Sequence, residues 1–171
     1  MKKQLLIVDG YNMIGSWKAT RQLFQQNRLE EARDILLDKL SNYSKFEGIE
    51  VVCVFDSQFV PGVRQTFEKY GLLVVFTEED ETADDYIESL AGKCNDILTQ
   101  VYVATSDLSE QWVVFSQGAA RVSARELEQA VGLGKKDLGV YSENLLTQKP
   151  RAIQFDDQQI QQLKDLMDSL K

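Results

Sequence analysis

Short apolar runs alternate along the chain with longer stretches in which apolar residues recur every three or four positions, a rhythm of buried strands and amphipathic helices. Gln4 to Val8 is a run of the first kind, and Asp9-Gly10 closes it with a turn signal. From Arg28 to Phe46 the apolar residues Leu29, Ala32, Ile35, Leu36, Leu40 and Tyr43 keep helical spacing, and the polar Glu47-Gly48 ends the segment. Glu50 to Phe55 is a second strand and stops at Asp56. Pro61-Gly62 opens an irregular connection, after which Leu72 to Phe76 is a third strand ending at Thr77.

Thr82 suits the cap of a helix that runs through Asp84, Asp85, Ile87 and Leu90 to Cys94, its early carboxylates facing the positive helix end. Gln100 to Ala104 is a fourth strand leading into Thr105-Ser106-Asp107; a helix over Ser109 to Phe115 and a short fifth strand at Ala120 to Val122 follow. Two further helical segments, Ala124 to Val131 and Asp156 to Leu170, are separated by breaks at Gly132-Leu133-Gly134 and Pro150. Strands this uniformly apolar, each followed by a helix, predict an α/β fold: a mostly parallel five-stranded sheet with helices on both faces. The 171 residues suit one domain over 1–171, with 133–171 as a helical C-terminal extension packed on it.

Composition narrows the chemistry. A hydrophobic fraction of 43% and a charged fraction of 27% are those of an ordinary globular protein. The apolar runs are too short to span a bilayer, and Lys2-Lys3 is not followed by a signal-peptide core, so the expected location is the cytoplasm, with no membrane partner. Cys53 and Cys94 lack the spacing of a metal knuckle or a redox pair and read as buried thiols. The chain has no histidine, which removes the usual general base and the usual zinc ligand. Any catalysis must therefore rest on carboxylates. The net charge of −8 argues against gripping nucleic acid by bulk electrostatics, although acids packed around cations contribute to that balance.

The acids are placed where an open α/β sheet binds its ligands, beyond the carboxyl ends of the strands. Asp9, Asp56 and Asp107 each follow a strand, while Asp84 and Glu88 share one face of the acidic helix, with Glu81 just before it. Carboxylates crowded into one crevice repel one another unless cations neutralise them, and an all-oxygen set favours Mg²⁺ or Mn²⁺. One or two such ions can bind a phosphodiester and activate water, which supplies hydrolysis without histidine. Each acid also has a plainer reading. Asp9 suits a turn, Asp107 a helix cap, and one of Asp84 and Asp85 a solvated first-turn charge, with Asp84 preferred as ligand because it shares its face with Glu88. Asn12 suits a turn end, or a neutral group that positions water or phosphate.

These residues also carry a resemblance. Leu6-Ile7-Val8-Asp9-Gly10-Tyr11-Asn12-Met13-Ile14, Val54-Phe55-Asp56, Glu81-Thr82-Ala83-Asp84-Asp85-Tyr86-Ile87-Glu88 and Val103-Ala104-Thr105-Ser106-Asp107 stand in order over about the first 125 residues. Together they resemble the NYN domain family, in its bacterial YacP-like branch, within the PIN-like nucleases. The resemblance implies a Rossmann-like PIN/NYN sheet, clustered acids holding Mg²⁺ or Mn²⁺, and endonucleolytic cleavage of mRNA on the ribosome. On this sequence it implies Asp9, Asp84 and Asp107 as metal ligands, with Asn12 and Asp85 beside them; Asp56 and Glu88 are candidate additional acids by position and spacing. PIN-like relatives often add an acid from an early helix, and Glu30, Glu31 and Asp34 are equal candidates.

An acidic chain reaches RNA more readily by docking on a larger particle than by gripping RNA itself. Candidate contacts are Lys18, Arg21, Arg28, Arg64, Lys69, Arg121, Arg125, Lys135, Lys136 and Arg151, most of which read equally as solvated surface. Arg64 and Lys69 gain weight from the long connection that carries them. Trp17 and Tyr11 suit base stacking or core packing. The expected assembly is a monomer or weak oligomer.

Two other classes share part of this pattern. A receiver-like or aspartate-based phosphatase domain also puts an aspartate after the first strand, but Tyr11 stands where such a phosphatase needs its second aspartate. Lys2-Lys3 stand where a receiver needs acids, and Val122-Ser123 follow the fifth strand where it needs a lysine. A catalytically inactive PIN-like adaptor for RNA or ribosome is the non-enzymatic alternative, and the intact acidic set argues against it.

Overall fold

The first strand, β1 (Lys3–Asp9), lies in the interior of a six-stranded sheet ordered β3-β4-β2-β1-β5-β6. This computed structural model describes residues 3–57, 65–69, 71–107 and 118–136. The remaining strands are β2 (Glu50–Phe55), β3 (Gln65–Lys69), β4 (Leu72–Phe76), β5 (Thr99–Ala104) and β6 (Ala120–Val122). The helices are α1 (Gly10–Ser16), α2 (Arg21–Gln25), α3 (Leu29–Glu47), α4 (Ala83–Cys94) and, after β6, α5 (Ala124–Lys136).

The five strands expected from the apolar runs all pair in parallel. To them the chain adds β3, antiparallel to β4 at the sheet's edge, in a stretch read from sequence as part of a connection. Its residues, Gln-Thr-Phe-Glu-Lys, are mostly polar, as an edge strand tolerates and a central parallel strand does not.

Alternate residues of each central strand enter different cores. Leu6, Val8, Val51, Cys53 and Phe55 pack with α1, α3 and α5 on one face, while Leu5, Ile7, Val52, Val54, Val101 and Val103 pack beneath α4 on the other. Burial on both sides accounts for the strands' uniform apolarity.

Three helix boundaries differ from expectation. A helix starts at Gly10 where a turn was read, because Tyr11, Met13 and Ile14 bury against the sheet at once. A Cβ on Gly10 would lie 2.3 Å from the Phe55 ring, so glycine serves here as a gap for a neighbouring aromatic. The five-residue α2 went unread, since it buries no residue that would mark a stripe. Helix α5 runs past Gly132 and Gly134 to Lys136, held by the buried stripe Ala124, Leu127 and Val131. The predicted ends of α3 and α4 hold to within a residue or so, with Gly48 in left-handed geometry at φ 65° and its N–H bonded to the Ser44 carbonyl. The expected helices at Ser109 to Phe115 and Asp156 to Leu170 lie outside the described residues, as does the proposed extension beyond residue 136.

Candidate active site

The chain runs outward from β1 to β2 and β4, then returns to the other side of β1 to lay down β5 and β6. The order reverses between β1 and β5, so the crevice beyond their carboxyl ends is where this topology binds ligands. Asp9 ends β1, and Asp107 follows β5 by three residues.

Asp9 occupies the N-cap position of α1, yet its side chain makes no capping hydrogen bond to that helix. Asp9 is therefore not held as a side-chain cap of that helix. Its negative charge is felt by Cys53: burial pushes that thiol well above its ordinary pKa, and Asp9 adds to the rise. On the other side of the reversal point, the Ser106 N–H donates to Asn12 Oδ1 at 2.9 Å and the Asp107 N–H donates to Thr105 Oγ1 at 3.1 Å. Asn12 thus joins the first turn of α1 to the loop that carries Asp107, a structural role for the motif asparagine.

Short polar side chains fasten the neighbouring loops. Thr105 is buried and its N–H donates to the Val122 carbonyl, while Ser106 Oγ accepts the Ala124 N–H. Ser57 donates its N–H to Thr77 Oγ1 and its hydroxyl to the Glu78 carbonyl. The loop after β2 is in this way fastened to the loop after β4, and the loop after β5 to β6 and the start of α5.

The other expected acids divide by environment. Asp56 Oδ2 accepts the Ala83 N–H at 3.2 Å, so this carboxylate anchors the start of α4 to the end of β2. Thr82 caps the same helix by accepting the Asp85 N–H, as expected. Ala83, Tyr86, Ile87, Leu90 and Ala91 are the buried side of α4. At about 100° per residue Asp84 and Glu88 flank that side and Asp85 lies opposite it. The early-helix candidates do not converge on one acid: Glu31 pairs with Arg28 at the exposed start of α3, Glu30 is exposed, and Asp34 is half-buried.

What α3 turns toward this edge is a cation that the sequence reading did not single out. Arg33 Nη1 donates to Tyr11 Oη at 3.0 Å, and its guanidinium lies 5.7 Å from the centroid of the Phe76 ring. Burial raises the Tyr11 pKa, Arg33 opposes that rise, and the charge of Asp56 adds to it. Arg33 therefore sits at the acidic edge, beside the ends of β2 and β4. A signal was available, since Arg33 interrupts the apolar stripe Leu29, Leu36 and Leu40 at a position where a surface residue has no reason to be.

Of the proposed RNA contacts, Lys18 and Arg21 are exposed beside α2, but Trp17 is 1% exposed and donates its indole N–H to the Ala124 carbonyl at 2.9 Å. Trp17 is a core residue that pins α1 to α5, and base stacking is excluded by its burial. Tyr11, packed on Phe55, is likewise core. Arg64 and Arg151 lie outside the described residues, and Lys69 belongs to the edge strand β3.

The sequence pattern of the YacP-like NYN domain matches residues 6–168. The chain belongs to that family. It is 44% identical over 146 residues to the protein YacP of Bacillus subtilis (strain 168), covering 85% of each chain. The crystal structure of Rae1 (YacP) from Bacillus subtilis superimposes with a TM-score of 0.69 at 38% identity, over 97% of this chain and 91% of the other. A single-residue mutant of that protein gives a TM-score of 0.71 at 38% identity, over 96% and 99%. The likeness therefore reaches well beyond the 125 residues that carry the motifs, and the YacP-like NYN domain here is a nuclease-like α/β fold.

The donor chemistry of this NYN domain suits a hard divalent cation. The candidate residues offer carboxylate and amide oxygens, and both cysteines are thiols whose pKa burial raises, poor candidates for thiolate ligands. Among the described residues no three acidic or cysteine side chains form a ready-made metal group. Asp9 stands at the end of β1, Asp107 after β5 and Asp84 in the first turn of α4, and they form no closed cage. Mg²⁺ is commonly held this way, through one or two carboxylates, with water and substrate phosphate completing its shell.

Proposed function

We propose that this NYN domain is an endoribonuclease that hydrolyses RNA phosphodiester bonds with Mg²⁺ or Mn²⁺, acting in the cytoplasm on mRNA engaged by the ribosome. The observation that carries the reading is the position of Asp9 and Asp107 on either side of the strand-order reversal, coupled through Asn12 and Ser106. Asp9 and Asp107 are the first choices to hold the ion, with Asp84 next. A bound ion supplies charge neutralisation at the phosphate and a more acidic attacking water. The chain's own part is to hold these carboxylates on strand ends and fastened loops, so that an RNA phosphate meets them without prior rearrangement.

The ribosome enters for two reasons. It is what the motif resemblance implies, and a chain of net charge −8 has little non-specific grip on free RNA. A competing reading, an adaptor that binds RNA without cutting it, draws support from the absence of a three-ligand acidic group among the described residues.

One experiment decides between them. Mn²⁺ binding is measured by calorimetry, and cleavage of free and ribosome-bound message is followed for the wild type and Asp9→Asn. The nuclease reading expects metal-dependent cuts that the variant loses by at least about a hundredfold, with message on ribosomes cut faster than free message. Absence of cleavage on both substrates, or equal cleavage by the variant, overturns it.

A further inference from the structure

A groove of about 840 Å³ opens between α2 and α5, and its lining brings together Lys18, Arg21 and Arg125 from opposite sides, with Ser106 at one margin. Ser106 is also the residue whose N–H meets Asn12 and whose loop carries Asp107, so groove and acidic rim share a wall. The cations come from segments about a hundred residues apart in sequence, yet the fold gathers them beside one carboxylate, Glu128. That carboxylate accepts the Lys18 backbone N–H at 2.7 Å. In a chain of net charge −8, the described residues of this concave site thus carry a local formal excess of two positive charges.

We infer that this groove binds the sugar-phosphate backbone of single-stranded RNA beside the acidic rim, without reading its sequence; the inference rests on the nuclease reading of that rim. Three features select this ligand. Fixed cations in a concavity attract phosphates, and they do so for any base order. Among the described residues the lining is polar and cationic, and the nearby rings of Trp17 and Tyr11 are committed to the core and not offered to bases. A concavity of this volume is the size of a small-ligand cleft and admits a few nucleotides of one strand, whereas a duplex is read across a broad surface by its shape.

The test is fluorescence anisotropy of a labelled oligouridylate with chelator present, so that neither metal nor cleavage is needed. Relative to wild type, a variant carrying Lys18→Gln, Arg21→Gln and Arg125→Gln is expected to bind at least about tenfold more weakly at low salt, with its log-affinity against log-salt slope flattened by about 2. Arg21→Lys is expected to keep the slope, and Glu128→Gln, which removes the opposing charge, to tighten binding about twofold. Unchanged affinity and slope in the triple variant overturn the inference. So does a polyglutamate of matched charge competing as well as RNA, which would make the groove a site for acidic peptide. RNA bound through the groove by a protein that never cuts it leaves this inference standing and removes the nuclease reading alone.

Discussion

The backbone N–H of Ser106 donates to Asn12 Oδ1 across 2.9 Å, joining residues 94 positions apart. The bond spans the point where strand order reverses, and it holds the Asp107 loop in place against α1. Asn12→Ala removes one long-range hydrogen bond, worth about 1 kcal/mol, and is expected to lower Tm by about 2–4 °C. On RNA cleavage the expected effect is a fall in kcat of about tenfold or more with little change in KM, because the loss is of alignment and not of substrate contact. Steady-state kinetics beside a thermal melt check both, and a change confined to KM would show that Asn12 contacts substrate instead.

Trp17 gives a sharper contrast between core and surface. Its indole N–H reaches the Ala124 carbonyl and the side chain is fully enclosed. Trp17→Phe keeps most of the packing and is expected to cost about 1–3 kcal/mol by orphaning that carbonyl, while Trp17→Ala costs about 3–5 kcal/mol. Affinity of folded Trp17→Phe for oligouridylate is expected to match the wild type. Denaturant melts and anisotropy together decide it; weaker RNA binding at equal stability would restore the stacking role.

Sequence and structure agree where a single physical signal dominates. The apolar runs could only be strands buried on both faces, and Thr82 with its following acids could only start a helix; both stand as expected. The positions of Asp9 at the end of β1 and Asp107 just after β5 were legible because apolar runs mark where strands stop. What escaped notice depends on tertiary partners. The dipeptide Asp9-Gly10 signals a turn in isolation, and only the Phe55 ring against Gly10 explains why a helix begins there. Trp17 and Tyr11 look like stacking groups until α5 and Phe55 are seen to cover them. The task of Asp56 as an anchor for α4 is likewise visible only once that helix docks on it. The gathering of Lys18, Arg21 and Arg125 has no sequence signature, since it arises from helices brought together by the fold.

Alkaline pH should destabilise the protein through groups whose pKa burial raises, the half-buried Cys94 and Tyr43 among them. Burial, with Asp96 adding and Lys93 opposing, raises the Cys94 thiol from 9.0 to about 11. Below pH 9 both folded and unfolded chains keep this proton and stability is unaffected. Above it the unfolded chain ionises first, so stability falls as pH rises from about 9 to 11, by up to about 2–3 kcal/mol. Tyr43, raised to about 12 chiefly by burial, extends the loss above pH 10. Urea melts from pH 8 to 11 are expected to show this slope, and Cys94→Ala to be flatter between pH 9 and 10. An equally steep decline in that variant would place the titrating group elsewhere.

Asp9 and Asp56 end adjacent strands, yet their removal should have opposite consequences. Asp56 Oδ2 accepts the Ala83 N–H, so Asp56→Ala leaves the start of α4 without that acceptor and is expected to cost about 1 kcal/mol, with Asp56→Asn recovering most of it through the retained amide oxygen. Asp9 makes no capping bond to α1, and on the proposed chemistry it shares a site with other carboxylates, so Asp9→Asn relieves repulsion and is expected to leave metal-free stability unchanged or raised. Cleavage should rank the other way, with Asp9→Asn close to inactive and Asp56→Asn retaining most activity. The same logic places Asp84→Asn below Asp85→Asn in residual activity, because Asp84 flanks the buried side of α4 and Asp85 lies opposite it. Chelator-treated melts and Mn²⁺-dependent cleavage on the four Asp→Asn variants test the set. A metal-free Asp9→Asn that melts lower than Asp56→Asn would mean that the carboxylate at the end of β1 serves the fold and not the chemistry.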